Sequence, residues 1–428
     1  MGVADVAERA VVRLPDRIGI GVLTAAFPPE LVDLAIEEWD VREVRHRMLP
    51  ARVMAYYAMA CAMYFEDGYA EVWNKLLCGL EWARRYRQRR QVGMQPSTAA
   101  LTKARARLGW QAMAAILDMA MTRLTAGPRV APWAYFHGLR VLAVDGFTMN
   151  VVRTPATVAA FGVPGNGGGD GPYPQVRVVA LAETGTGSLQ GVRVGPLGDG
   201  EQTMARRLWP RLGPGDVVVA DRGFLSHADL AAIVASGAHA VLRVKADTDL
   251  PVLRVLSDGS WVSRIADPGA ARRLRRKGVT GADIPGIEVR VIEYTVAGDP
   301  GHPLGVGADS ELFCLVTTLI DPVLYPMEGF AGLYAERWRI ETAIGDVETR
   351  LRGGPDVVLR SKGPDMIYQE VYGLLCVYQA VHALMHAGAE HAQIDPDRIS
   401  FTRTLQAAAR HLSDDAAFSP RTPARPRR

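Results

Sequence analysis

Apolar residues recur every three or four positions along the first part of the chain, from residue 18 to about residue 125. This spacing places them on one face of a helix and is typical of amphipathic helices. Proline or glycine separates the helical segments, and Ser97 and Thr98 are suited to cap the last of them, "STAALTKARARLGWQAMAAILDMAMTRL". The pattern predicts an all-helical N-terminal domain over residues 1–128.

Short valine-rich segments, typical of strands, replace this pattern beyond residue 129. The first three follow one another across glycine- and proline-rich loops and predict a meander over 139–152, 174–183 and 188–197. A helix over 201–212, an apolar strand over 216–224, the helix "SHADLAAIVASG" and the strand "AHAVLRVKA" come next. This order predicts an α/β fold class, with a mixed sheet of the ribonuclease-H-like type.

Residues 248–311 interrupt that order with strand-like pieces and polar turns, and predict a β-rich insertion. The core is then assigned to residues 129–247 and 312–390. It includes a helix over 334–352 and the helix "MIYQEVYGLLCVYQAVHALMHAGAE", which is apolar on most faces and is expected to be buried against the sheet. Residues 391–428 are expected to form a C-terminal segment with a disordered basic tail.

The composition indicates a folded chain with a large core, since 48% of its 428 residues are hydrophobic and 22% are charged. No run of about 18 apolar residues and no apolar signal segment is found, so we expect no membrane contact and a cytoplasmic location. The four cysteines stand singly among apolar residues, without metal-ligand spacing, and are expected to be small core residues.

Basic residues are grouped although the formal net charge is only +3. The groups are "RRYRQRR" at 84–90, Lys103 with Arg105 and Arg107, "RRLRRK" at 272–277, and the tail "RTPARPRR". Several such groups favour a polyanion such as nucleic acid as the partner. A solvated surface explains any single group equally well, and that alternative stays open.

Three carboxylates are predicted to converge in the core. Asp145 follows the apolar run "RVLAV", Asp221 follows "DVVVA", and Glu341 lies on the later helix. Aspartates at the ends of central strands can approach each other, and a helix packed on the sheet can add the glutamate. Such a cluster needs cations, and oxygen ligands select Mg²⁺ or Mn²⁺. Two ions would activate a nucleophile on a phosphodiester. Either aspartate alone is equally well explained as a turn residue.

The helix predicted over 334–352 carries polar or aromatic groups along one face: Tyr334, Arg337, Glu341, Glu348 and Arg352. Residues three, four, seven or eleven apart share a face of an α-helix. Taken alone, this stripe is explained by a solvated face with an intrahelical pair between Arg337 and Glu341.

The blocks "VDGFTMNV", "ADRGFLS" and "YAERWRIETAIGDVE" together resemble the three signature blocks of the DDE transposases of bacterial insertion sequences, in the family named after insertion element four. The third block resembles that family's Tyr-x₂-Arg-x₃-Glu-x₆-Lys signature. The start of the chain also resembles the N-terminal domain of these transposases. The resemblance covers nearly the whole chain, with the blocks in the right order.

The resemblance implies a metal-dependent cut-and-paste transposase that acts on double-stranded DNA at terminal inverted repeats and target sites. By this resemblance Asp145, Asp221 and Glu341 hold two Mg²⁺ ions, for which Mn²⁺ can substitute, and Tyr334 and Arg337 contact phosphates of the element end. The polar stripe would then be the wall of an active site. The resemblance also implies DNA-end binding by the helical domain, and a homodimer on DNA that is associated with the bacterial nucleoid.

One position departs from the family signature, which ends in lysine where this chain has Glu348. A carboxylate repels a phosphate backbone unless it is paired or turned away. Arg352, one turn further on, is predicted to supply the missing cation and to bind DNA. Two alternatives to an active transposase stay open: a decayed or repurposed transposase that only binds DNA, and a related metal-dependent nuclease without strand transfer.

Overall fold

The computed structural model describes most of the chain, namely residues 23–44, 49–78, 96–121, 129, 132–166, 169–245, 248–279, 281–296, 311–392 and 394–404. The chain forms two compact units. The helical unit is Met1–Thr125, Met149–Val176 and Gly345–Arg428, and the sheet unit is Ala126–Thr148 and Arg177–Ile344. The predicted division into four segments groups residues differently and stays a prediction. The basic groups at 84–90 and in the C-terminal tail lie outside the described residues.

The helices, in chain order, are α1 Pro29–Glu38, α2 Ala51–Met63, α3 Tyr69–Cys78, α4 Thr98–Leu108, α5 Gln111–Met121, α6 Pro155–Phe161, α7 Glu201–Arg206, α8 His227–Ala235, α9 Pro268–Arg275, α10 Gly329–Ala335, α11 Trp338–Gly345 and α12 Pro364–Ala392. The strands are β1 Tyr135–Phe136, β2 Leu139–Val151, β3 Gly165–Asn166, β4 Gly169–Asp170, β5 Gln175–Glu183, β6 Leu189–Pro196, β7 Asp216–Ala220, β8 His239–Arg243, β9 Arg254–Val255, β10 Trp261–Ile265, β11 Ile287–Val296, β12 Glu311–Thr317 and β13 Val358–Leu359.

The boundaries of three predicted elements are corrected by the structure. The helix predicted to open at Ser97 is divided into α4 and α5 at Gly109, whose φ of +70° favours glycine. The helix predicted over 201–212 is α7 followed by a 3₁₀ turn at Trp209–Arg211. The strand predicted over 216–224 ends at Ala220 and continues as a 3₁₀ turn.

The main sheet has the strand order β6-β5-β2-β7-β8-β12-β11-β10-β9. Strand β7 is parallel to both β2 and β8, whereas β8 pairs with β12 in the antiparallel direction. The first five strands, a meander followed by two crossovers, confirm the predicted ribonuclease-H-like sheet. Strands β9 to β11, most of the predicted insertion, extend this same sheet through β12.

A buried carboxylate ties together the two helices that flank β7. Strand β7 is buried at every position, as expected of a central strand covered on both faces. Asp229 on α8 is fully buried and accepts hydrogen bonds from Arg206 Nε and from Trp209 Nε1, each at 3.0 Å. A buried charge requires such partners. The position of α7 is therefore set by the core of the sheet unit.

Helix α12 is buried along most of its length at the centre of the helical unit. Within this unit it packs against α2 and α5. At Gly373 the approach is so close that an added Cβ would lie 3.0 Å from the carbonyl oxygen of Ala58. Burial of this helix against the sheet stays a prediction, because an apolar pattern specifies burial without specifying the neighbour. None of the helices in the described part of the chain combines the length and the apolar character of a membrane span.

The prediction that Arg105 belongs to a surface basic group is also wrong, since only 1% of this residue is exposed. Arg105 Nε donates to Gln369 Oε1 at 2.8 Å. Gln369 Nε2 donates in turn to the carbonyl oxygens of Arg105 and Gly109, each at 2.9 Å. This polar network joins α4 to α12 and supplies the partners that a buried guanidinium needs.

We expect Arg105→Ala to lower the free energy of unfolding by about 2–3 kcal/mol, the contribution of hydrogen bonds to a charged group. Urea denaturation measures this loss. The matched control is Lys103→Ala, on the exposed face of the same helix, which should leave the transition in place. Equal effects of the two substitutions would contradict a structural role for the buried network.

Candidate active site

The two strand aspartates lie level with each other on neighbouring parallel strands. Ala143 of β2 pairs with Val219 of β7, and Asp145 and Asp221 each follow two residues later. Asp221 stands directly after the last residue of β7, as predicted. Asp145 does not end its strand, because β2 continues to Val151. Its Oδ1 accepts a hydrogen bond from the backbone N–H of Gly146 at 2.8 Å.

The segment that carries the predicted stripe is not one helix. It consists of α10, a turn at residues 336 and 337, α11, and a π-helix at Asp346–Leu351. Within the turn the N–H of Arg337 donates to the carbonyl of Tyr334 at 3.1 Å, three residues back rather than four. The prediction of a single helix over 334–352 is therefore corrected. Because the helix is interrupted, helical spacing no longer determines which side chains of the stripe lie together.

Side chains of this segment contact both strand aspartates. Arg337 Nη2 lies 2.6 Å from Glu341 Oε1, and Arg337 Nη1 lies 3.7 Å from Asp145 Oδ2. The Tyr334 hydroxyl donates to Asp221 Oδ1 at 3.4 Å. The two groups are joined because the Arg337 guanidinium lies 5.9 Å from the centre of the Tyr334 ring. The structure thus brings five of the six predicted site residues into one network. All five belong to the sheet unit.

The network carries an excess of negative charge. Burial, together with the charges of Glu201 and Glu341, raises the pKa of Asp145 to about 6, against the Gly146 hydrogen bond and the Arg337 charge, which lower it. Burial alone would lower the pKa of Arg337, but Glu341, Tyr334 and Asp145 outweigh it and raise that pKa. Burial raises the pKa of Tyr334, so its hydroxyl stays a neutral donor. Arg337 is therefore the fixed positive charge beside these carboxylates.

The chemistry of the donor set fits a hard divalent cation, because the acidic side chains of the network offer only carboxylate oxygens. In the described part of the chain, no three His, Cys, Asp or Glu side chains are grouped closely enough to hold a metal ion. The position between Asp145 and Glu341 is taken by the guanidinium of Arg337. Ligation by all three predicted residues therefore requires their side chains to move.

A fourth carboxylate, Glu201, lies beside this network and was not predicted from the sequence. It opens α7, and its charge raises the pKa of Asp145. In the sequence Glu201 is only an acidic residue at the start of a helix, a common and uninformative position. Gly146, the residue after Asp145, is the one local feature of the sequence that is related to the position of Glu201.

Glu348 and Arg352 lie in the helical unit, Glu348 within the π-helix and Arg352 directly after it. Arg352 Nη2 lies 3.9 Å from Glu348 Oε1 and donates to the carbonyl oxygens of Gly354 and Pro355 at 3.2 and 2.9 Å. Its side chain is 0% exposed. Glu348 is thus accompanied by a cation, as its position requires. DNA binding by Arg352 stays a prediction.

Comparison with known proteins agrees with these features. The model described as "Insertion element 4 transposase N-terminal" matches residues 17–118, and the "Transposase DDE domain" matches residues 136–379. The chain is 25% identical over 395 residues to Transposase InsG for insertion sequence element IS4 of Escherichia coli (strain K12), covering 92% of this chain and 83% of that protein. A solved piggyBac transposase synaptic complex with hairpin DNA is 9% identical and superposes with a TM-score of 0.45, over 92% of this chain and 80% of the other.

The DDE-domain match spans more than half of the chain, and the strand-borne aspartates lie within it on a ribonuclease-H-like sheet. These findings define the class of protein as a DDE transposase, an enzyme. Within that class the chain belongs to the insertion element 4 family, whose N-terminal model and curated relative it also matches.

We expect Arg352→Ala to lower the free energy of unfolding by about 1–3 kcal/mol, since Glu348 and two backbone carbonyls lose their buried donor. The matched control is Arg350→Ala, whose side chain is 46% exposed. Affinity for element ends is measured on the same folded proteins. A loss of affinity without a loss of stability would show that Arg352 acts on DNA and not on the fold.

Proposed function

We propose that this transposase performs metal-dependent cleavage at element ends, followed by strand transfer into target DNA. The observation that supports this most directly is that Tyr334 contacts Asp221 and that Arg337 contacts both Asp145 and Glu341. Carboxylates from two strands and one helix are thereby connected through the side chains of one segment. Mg²⁺ is the expected ion, with Mn²⁺ as a substitute.

The first step in this proposal frees the element's 3′ end. A water oxygen attacks the phosphorus at the element end, a new P–O bond forms, and the bond from phosphorus to the 3′ oxygen breaks. In the second step that 3′-OH attacks a target phosphodiester, and the target strand's own 3′ oxygen leaves. Divalent ions held by Asp145, Asp221 and Glu341 would polarise the attacking and leaving oxygens.

The neighbouring side chains have distinct roles in this proposal. Arg337 has a buried Nε without a hydrogen-bond partner among the described residues, so it has a donor left for a phosphate oxygen beside the carboxylates. The Tyr334 hydroxyl, on Asp221, orients that carboxylate and can turn to a phosphate. Both side chains lie beside the aspartates that would bind the ions, which is where the scissile phosphate must be placed.

We expect Asp221→Asn to reduce cleavage of labelled element ends by about a thousandfold, because metal assistance supplies several kcal/mol and each 1.4 kcal/mol is about tenfold. Asparagine keeps the shape and the acceptor for Tyr334 but removes the charge. The control is Asp199→Asn, which changes a carboxylate that is 37% exposed and lies 3.7 Å from Arg207, outside the network.

The same assay separates the alternatives when a target plasmid is supplied with Mg²⁺. Cleaved ends that become joined to the plasmid indicate a transposase, whereas cleavage without joining indicates a nuclease. Binding of element ends without cleavage by the unaltered protein would indicate a repurposed DNA-binding protein. Cleavage that persists with EDTA would contradict metal dependence.

We further propose that α9, in the predicted β-rich insertion, contacts the DNA backbone. The residues at 272, 273, 275, 276 and 277 are all cations, and all are exposed. Arg272, Arg273 and Arg275 lie on α9, and Arg276 and Lys277 directly follow it, so five like charges are crowded along a short segment. Only Ala271 is buried in this helix. Such a surface is electrostatically complementary to a row of phosphates.

We expect the double substitution Arg272→Ala and Arg273→Ala to weaken binding to an element-end duplex about equally for any sequence. The slope of log affinity against log salt should fall by about 2, since each lost phosphate contact removes about 0.9. Fluorescence anisotropy at several KCl concentrations measures it. Arg254→Ala on β9 is the control, an exposed cation of the same region. An unchanged slope would place the DNA elsewhere.

A further inference from the structure

The carboxylate of Glu201 lies against the backbone of the residue that follows Asp145. A Cβ built on Gly146 would be 2.1 Å from Glu201 Oε1 and 2.9 Å from its Cδ. Real Cβ atoms do not approach other atoms so closely, so the glutamate can occupy this place only because residue 146 is glycine. The Gly146 N–H meanwhile donates to Asp145 at 2.8 Å. Glu201 and Asp145 thus meet at one peptide unit.

Glu201 is held there by the packing of α7. At the end of that helix, Arg206 binds the fully buried Asp229. Beside Glu201, Gln202 Nε2 donates to the carbonyl of Gly223 at 3.3 Å, in the turn that begins at Asp221. The helix is therefore fixed both to the core and to the loop of the second aspartate. These contacts fix the position of Glu201, the first residue of α7.

Glu201 also lies close to the segments that carry both strand aspartates. Its carboxylate lies against Gly146, the residue after Asp145, and the neighbouring Gln202 contacts the turn that follows Asp221. Carboxylates from three separate elements are therefore located at this edge of the sheet. A divalent cation is the ligand that such a set of oxygens favours.

We propose that Glu201 is a fourth acidic residue of the active site, which adds its carboxylate to the binding of the divalent ions. This inference rests on the proposed metal-dependent function. Its structural basis is the cradle that Gly146 leaves for the glutamate, together with the attachment of α7 to the loop of Asp221. The glycine of the block "VDGFTMNV" then has a physical role, because any larger side chain displaces Glu201.

The test is a titration of the full chain with Mn²⁺ in the absence of DNA, in which the EPR signal of free Mn²⁺ measures how much of the ion is unbound. We expect Glu201→Gln to weaken Mn²⁺ binding about ten- to a hundredfold, the usual range for residues that support a metal site. Gly146→Ala should weaken it similarly without removing any carboxylate. Because both substitutions act on the Glu201 carboxylate, the double variant should bind Mn²⁺ no more weakly than Glu201→Gln alone.

Controls separate this inference from the function on which it rests. Glu201→Asp, which keeps the charge, should bind Mn²⁺ more tightly than Glu201→Gln, and Asp199→Asn should bind like the unaltered protein. Unfolding transitions of all variants are compared, so that a loss of fold is recognised. If Asp221→Asn binds Mn²⁺ weakly but Glu201→Gln and Gly146→Ala bind it as tightly as the unaltered protein, the role of Glu201 is overturned and the metal site is not. Normal binding by Asp221→Asn as well would overturn the metal site itself.

Discussion

The rest of the site depends on the electrostatic attraction between the Arg337 guanidinium and the carboxylates of Asp145 and Glu341. Parallel pairing of β2 and β7 places two carboxylates side by side, and α11 brings Glu341 to the same guanidinium that contacts Asp145. Arg337 lies between Asp145 and Glu341 and offsets their repulsion. In the function that we propose, a cation that binds these carboxylates would compete with that guanidinium. Metal binding and the release of Arg337 toward a phosphate would then be coupled by charge.

The strand framework could be predicted from the sequence because its signals are local. Buried central strands such as β7 are continuous apolar runs, and an acidic residue at the end of such a run is conspicuous. The strand order follows from the alternation of strands with helices, and so Asp221 was placed correctly. The predicted strand over 139–152 agrees with β2 to within one residue, but Asp145 lies inside that strand and not at its end, because the apolar run before Asp145 stops before the strand does.

Features that depend on packing between distant segments could not be predicted in this way. An all-round apolar helix such as α12 does not show what covers it, and Arg105 has the same local pattern as an exposed arginine until Gln369 is placed beside it. The helix predicted over 334–352 breaks at residues 336 and 337, although neither of them is proline or glycine, so no local signal in the turn predicts the break. Glu201 reaches the site only through the cradle at Gly146 and the attachment of α7.

The energetics of the carboxylates bear on the metal-dependent chemistry that we propose. The pKa of Asp145 is raised to about 6, against an ordinary value near 4, so the folded structure disfavours its ionised form. A bound cation would act in the opposite direction, because a nearby positive charge favours the ionised carboxylate. Acidic groups beside Arg337 are therefore what the proposed cation-dependent active site would require.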